Sequence, residues 1–309
     1  MLAGCGGAAA PPRAPDATAT ATAAARRPPA ARLPALCGAV RATVTGHVAA
    51  QAAIELSGLA LSRTQPGVLW THNDSGDRAR VLAITRAGRL LADVAITGAE
   101  AVDWEDISVG PAPGGGDALY IADIGDNDAR RAEVVVYRVA EPRVGGGGPA
   151  ASAPAARLAL RYPDGPHDAE ALLVDRPSRA LVIVTKSFGG ESGVYVAAHA
   201  STTGTTLLRR RGRLSLGAGA AVTAGDVSAD GRTIALRTYD RALVWTRRPG
   251  ESIAQALRRR PCSPGNDLFV EGQGEALALG AHGRSFYTVP EGPRPAIRRY
   301  TASGRVRVR

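Results

Sequence analysis

Lysine is nearly absent from this chain: Lys186 is the only one among 309 residues. The 38 basic residues outnumber the 28 acidic ones, but the excess is arginine in an alanine- and glycine-rich chain, a bias that GC-rich coding produces unaided. Aromatic residues make up 4% of the chain and are not interleaved with the arginine clusters at 209–211, 247–248, 258–260 and 298–299. Those clusters read as solvated faces, and no nucleic-acid partner is expected. Five histidines and three cysteines are too few to favour a zinc centre. No continuous apolar run reaches 18 residues, which argues against a membrane-spanning helix. Gly-x-Ser-x-Gly is missing, and the glycines at 145–148 are not followed by Gly-Lys-Ser/Thr. A nucleophile elbow and a phosphate loop are thereby excluded.

What the chain does contain is a repeat. The stretch Asp103-Trp104-Glu105-Asp106-Ile107-Ser108 has weaker copies, which align Ser57, Glu105, Glu170, Gly225 and Glu275 at steps of about 48, 65, 55 and 50 residues. After each copy comes a turn and a second apolar run, such as Val68-Leu69-Trp70 or Leu181-Val182-Ile183-Val184, that stops at polar residues. Short strands bounded by Gly, Pro, Asn and Asp at this spacing predict an all-β fold, a single β-propeller. Five copies predict five blades, and the long second unit leaves room for a sixth. The strand Val40-Arg41-Ala42-Thr43-Val44 is expected to complete the last blade, closing the ring and removing two exposed edges.

The ends of the chain suggest export. Leu2-Ala3-Gly4-Cys5 resembles a bacterial lipobox, which implies a cell-surface or extracellular lipoprotein whose start lies upstream. Membrane contact would then run only through a lipid on Cys5. Residues 1–35 read as a truncated lipobox and tether, since an Ala/Pro/Thr segment without periodicity cannot bury enough apolar surface to order itself. Residues 36–309 read as the propeller, expected as a monomer. Cys37 and Cys262 remain, and an exported protein favours a disulfide between them. Two free buried thiols are the alternative.

In a closed ring, equivalent residues meet at equivalent points around one axis. Glu105, Glu170 and Glu275 would then converge, and three carboxylates without a counter-charge repel one another. Protons, an arginine or a cation must relieve this, and an oxygen-only donor set suits calcium. The order Ser, Glu, Glu, small residue, Glu resembles the calcium-activated nucleotidase (apyrase) propellers. That resemblance implies an axial calcium ion held at Ser57, Glu105, Glu170, Gly225 and Glu275. Where the family has a serine this chain has Gly225, so a backbone carbonyl or Thr223 would have to substitute. Trp70-Thr71-His72-Asn73-Asp74-Ser75-Gly76, Asp123-Ile124-Gly125-Asp126-Asn127 and His167-Asp168-Ala169-Glu170-Ala171 also resemble secreted esterase-like phytase propellers.

The residues that end each second strand would crowd one mouth of the channel. Asp123, Arg131, Lys186 and His167 are the candidate catalytic residues. Asn73, Asp74, Asp126, Asn127, Arg237 and Tyr239 are the candidate substrate-binding residues. Asp126-Asn127 is equally good turn chemistry, and a loop histidine such as His72 or His167 is more often only a loop residue. Strand register predicts Lys186 within reach of Arg131 or Arg237 and beside Asp123. The expected function is a calcium-dependent hydrolase of a small anionic, phosphorylated molecule. The alternative is a non-catalytic binding module with a structural calcium ion.

Overall fold

The computed structural model describes residues 35–51, 53–145, 150–265 and 268–303, with 1, 2, 4 and 7 besides. The chain divides into two units, Met1–Arg32 and Leu33–Arg309. Cys5 and nearly all of segment 6–33 lie outside the described residues, as does the arginine-rich tail from 304 onward. Among the described residues no helix is long and apolar enough to cross a membrane.

Leu33–Arg309 folds into five β-sheets. Their first strands are Leu56–Leu61, Trp104–Pro111, Ala169–Val174, Val222–Val227 and Gly274–Leu279. Each of these touches the next, and the last touches the first, so the sheets are the blades of a five-bladed propeller. The first strands are buried almost throughout. A strand covered on both faces needs apolar or hydrogen-bonded residues on both, which is why these segments read as near-continuous runs. Each pairs antiparallel with a second strand that runs back to the same mouth, ending at Asn73, Asp123, Thr185, Thr238 or Pro290. Two of the hairpins turn on Gly67 and Gly231, whose φ angles of 88° and 70° suit a residue without a Cβ.

The core lies between neighbouring blades. Trp70, Trp104 and Ile121 fill the space between blades 1 and 2, and Leu173, Leu236 and Trp245 that between blades 3 and 4. Leu59, Leu69 and Val289 close the ring between blades 5 and 1. Fully burying each large side chain of this kind contributes about 1.5–3 kcal/mol.

Closure follows the expected plan. Val40–His47 pairs antiparallel with Ala296–Ala302, so the N-terminal strand completes the blade built by the C-terminal repeat. Cys37, just before that strand, forms a disulfide with Cys262 at a Cα separation of 5.4 Å. Cys262 exchanges two backbone hydrogen bonds with Val244, on the outer strand of blade 4. The disulfide therefore joins the closing strand to the neighbouring blade.

Blade 4 has three strands, and a short helix, Ile253–Leu257, lies against its outer strand and against Arg209–Ser215 of blade 3. Ala150–Ala151 pairs parallel with Leu90–Ala95 and adds a fifth strand to blade 1. Thr205–Leu207 does the same for blade 2 by pairing with Ala156–Arg161.

Candidate functional site

In every blade the register of the first two strands slips near the start of the first strand. The residues passed over are Glu105, Glu170, Thr223 and Glu275, and in blade 1 the slip falls between Leu56 and Leu59, at Ser57 and Gly58. A bulge of this kind leaves one residue without an opposite partner and re-aims its side chain. Ser57, Glu105, Glu170, Thr223 and Glu275 are all buried. Two hydroxyls tie their strands to the following blade: Ser57 Oγ donates to the Glu105 carbonyl at 2.6 Å, and Thr223 Oγ1 to the Gly274 carbonyl at 3.1 Å.

Thr223 thus takes the fourth-blade position expected of Gly225. Gly225 lies two residues further along, where its N–H donates to Asp106 Oδ2 at 3.2 Å. A Cβ there would press on the Leu173 and Leu236 side chains. Asp106 also accepts from the Leu172 N–H at 2.8 Å and the Ile107 N–H at 2.9 Å, so one buried carboxylate links three blades.

A second tier comes from the residues one past each second strand. Asp74, Lys186, Tyr239 and Glu291 occupy this place in blades 1, 3, 4 and 5. Lys186 pairs with Glu170, and its Nζ lies 4.0 Å from Glu275 Oε1. Tyr239 donates its hydroxyl to Glu275 Oε1 at 2.8 Å. One oxygen from each of Asp74, Glu275 and Glu291 lies within 4.8 Å of the other two, and the same holds for Asp74, Asp103 and Glu105. Asp74 belongs to both sets. In blade 2, Gly125 lets the backbone lie directly against the Glu105 and Asp103 carboxylates, since a Cβ there would overlap both.

Electrostatics record the crowding. Burial, then the charge of Glu170, pushes the Glu105 carboxyl well above its ordinary range. Burial, then Glu275, does the same to Glu170 despite Lys186. Burial, with Asp74 and Asp168 nearby, raises Asp103 to about 6. Burial and the hydrogen bond to Glu275 raise Glu291 to about 8. Burial alone would lower the Lys186 ammonium, but Glu170 outweighs it and holds the proton more tightly than usual.

The donor set fits a calcium-type ion. It consists of carboxylate oxygens, and separations up to 4.8 Å match ligands sharing one ion at about 2.3–2.6 Å. Glu170 Oε2 is buried and accepts no hydrogen bond, which leaves it available as a ligand.

The other candidate residues fall in three groups. Tyr239, Asp74 and Lys186 join the carboxylates. Asp123, Arg131, Asp126 and Asn73 build the loops around them. Asp123 receives the Asp103 N–H at 3.1 Å and pairs with Arg131 at 2.8 Å. Asp126 accepts the N–H groups of Arg130 and Arg131 at 2.9 and 2.8 Å, closing a turn whose tip carries exposed Asn127. Asn73 donates to Asp77 at 2.7 Å.

Arg237 and His167 are held elsewhere. Arg237 is fully buried and paired with buried Glu271 at 2.9 Å, with Gly274 giving it room. It is a core ion pair and does not reach the mouth surface. His167 sits against Tyr162 and Tyr195 and bonds Asp164 at 3.0 Å. His72 is buried edge-on to Trp104, and burial lowers its pKa to about 4, so it is neutral packing. Lys186 faces Glu170 and Glu275, and Asp123 is paired with Arg131.

Sequence reading passed over Asp103, Glu291 and Phe188 as site residues. Glu291 follows Pro290 as Asp74 follows Asn73, and that shared offset is the signal for it. Phe188 lies two residues past Lys186, and its ring is near-parallel to that of Tyr239, with centroids 6.3 Å apart.

No family model matches this chain, and no curated protein does. Among solved structures, the β-propeller domain of Myceliophteria thermophila Cps50 (Swd1) is similar to 85% of this chain and 100% of its own, at 10% identity and a TM-score of 0.45.

Proposed function

We propose that this protein is an exported, calcium-dependent binding module whose ion sits among the carboxylates at the propeller mouth. The observation that carries this reading is the pair of carboxylate sets sharing Asp74, beside the unpartnered Glu170 Oε2. An ion in the first set would join blades 1 and 5, and an ion in the second would join blades 1 and 2, with Asp74 common to both. The Cys37–Cys262 disulfide supports an oxidising compartment.

The same geometry weighs against an anionic substrate. Lys186 is paired with Glu170, Arg131 with Asp123 and Arg237 with Glu271. A phosphorylated ligand would meet carboxylates, with each of these three cations already engaged. One observation keeps the hydrolase reading as the second choice. The Lys186 ammonium lies 6.0 and 5.8 Å from the Phe188 and Tyr239 rings, where a flat ligand could stack.

Thermal melts with chelator and with added calcium test the first reading. A ligand that binds only the native state adds RT ln(1 + [L]/Kd), about 2.7 kcal/mol at a hundredfold excess over Kd. A higher midpoint with calcium is expected, and identical midpoints would refute it. A hydrolysis screen of nucleotides, phosphate esters and lactones, with calcium and with chelator, separates the two readings. Calcium-dependent turnover would favour the hydrolase.

A further inference from the structure

Among the described residues of the propeller, exposed large apolar side chains are few, and most lie on one face. Ile54, Val102, Phe188, Phe269 and Val270 are each at least half exposed. All five stand on loops that enter a first strand or leave a second strand at the acidic mouth. The remaining three, Val44, Leu90 and Leu207, lie on outer strands. Four of these residues are tied to neighbouring mouth loops. Phe188 stacks on Tyr239, and the Leu268 N–H donates to the Asp240 carbonyl at 2.9 Å, which sets Phe269 and Val270 beside that turn. The Gly292 N–H donates to the Ile54 carbonyl at 2.7 Å, joining Ile54 to the loop that carries Glu291. Exposed apolar groups scattered singly need no explanation, but a set gathered on one face marks an interaction surface.

The charge inside this arc selects the partner. Asp74, Asp103, Glu105, Glu275 and Glu291 form two sets sharing Asp74, and Lys186 pairs with Glu170 beside Glu275. The carboxylates still outnumber the cations after Lys186 and one divalent ion are counted. A protein partner that buries apolar residues on the rim and presents a lysine or arginine over the centre satisfies both features, since complementary charge sets register and speeds encounter.

We propose that the mouth face is a protein-docking surface for a partner segment that alternates apolar and basic side chains. It rests on the binding-module reading, with the bound ion holding the rim loops in place.

The test uses the full chain with calcium and a fluorescently labelled peptide of alternating leucine and lysine, followed by anisotropy. The control is the same peptide with glutamate in place of lysine. Wild type should bind the lysine peptide at least tenfold more tightly than the glutamate peptide. The triple variant Phe188→Ser, Phe269→Ser, Val270→Ser, altered only at exposed positions, should lose at least tenfold. Equal binding of both peptides, no binding of the lysine peptide, or full binding by the triple variant would each overturn the proposal. Calorimetric calcium binding, measured on wild type and on the triple variant, keeps the two readings apart. Intact calcium binding without peptide binding removes only the docking surface, while peptide binding without calcium binding removes the ion.

Discussion

Thr223 in blade 4 stands where Glu105 stands in blade 2: each is the residue that the register of the first two strands passes over. Gly225, two residues on, has a different duty, its N–H bonding Asp106 among packed leucines. Gly225→Ala should therefore destabilise the fold by about 1–3 kcal/mol through overpacking and leave calcium affinity unchanged. Thr223→Val should cost about 0.5–1.5 kcal/mol for its lost hydrogen bond to Gly274. Urea unfolding and calcium titration of both variants check this. A Gly225→Ala protein of normal stability with weakened calcium binding would restore Gly225 to the site.

The sequence carried the blade plan but not this detail. The copies, their spacing and the apolar runs of the second strands made the five blades and the closing strand legible. In blade 4, Asp226-Val227-Ser228 looks like Asp106-Ile107-Ser108, although the bulges set Asp226 level with Ser108. A slip of two residues keeps every side chain on its own face of the sheet, so apolar patterning does not register it. Preceding the strand-ending Thr238, Arg237 reads from the sequence as a mouth residue, yet its side chain turns inward to Glu271. Its partner sits 34 residues away by numbering, and nothing in the local sequence announces the pair.

Protons should stand in for the missing ion in chelated protein. Glu291 moves from an ordinary 4.5 to about 8 and Asp103 from 3.8 to about 6 in the folded state. Between those values the folded chain binds more protons than the unfolded one, so stability falls as pH rises. The melting midpoint in chelator should drop from about pH 3.8 to 8, the window set by those two groups. Calcium should flatten the slope and release protons as it binds. A chelated midpoint that climbs across this window would contradict the crowding.

The disulfide closes a loop of 225 residues between the closing strand and the edge of blade 4. Chain entropy sets an upper figure on the order of 5 kcal/mol, and native bridges typically contribute about 2–4 kcal/mol. The double variant Cys37→Ser, Cys262→Ser should lose stability of that order in urea and melt as wild type does under reductant. An unreduced wild type that matches the variant would mean the bridge contributes nothing to closure.

The most direct measurement of the central claim is calorimetric titration of calcium into chelator-stripped protein, wild type beside Asp74→Asn. Asp74 joins both carboxylate sets and is partly exposed, so its isosteric amide should leave the fold intact. Wild type should show saturable binding, and Asp74→Asn should weaken it by at least tenfold, about 1.4 kcal/mol. A wild type without binding heat or calcium-induced stabilisation, or an Asp74→Asn protein that binds as wild type does, would contradict the account.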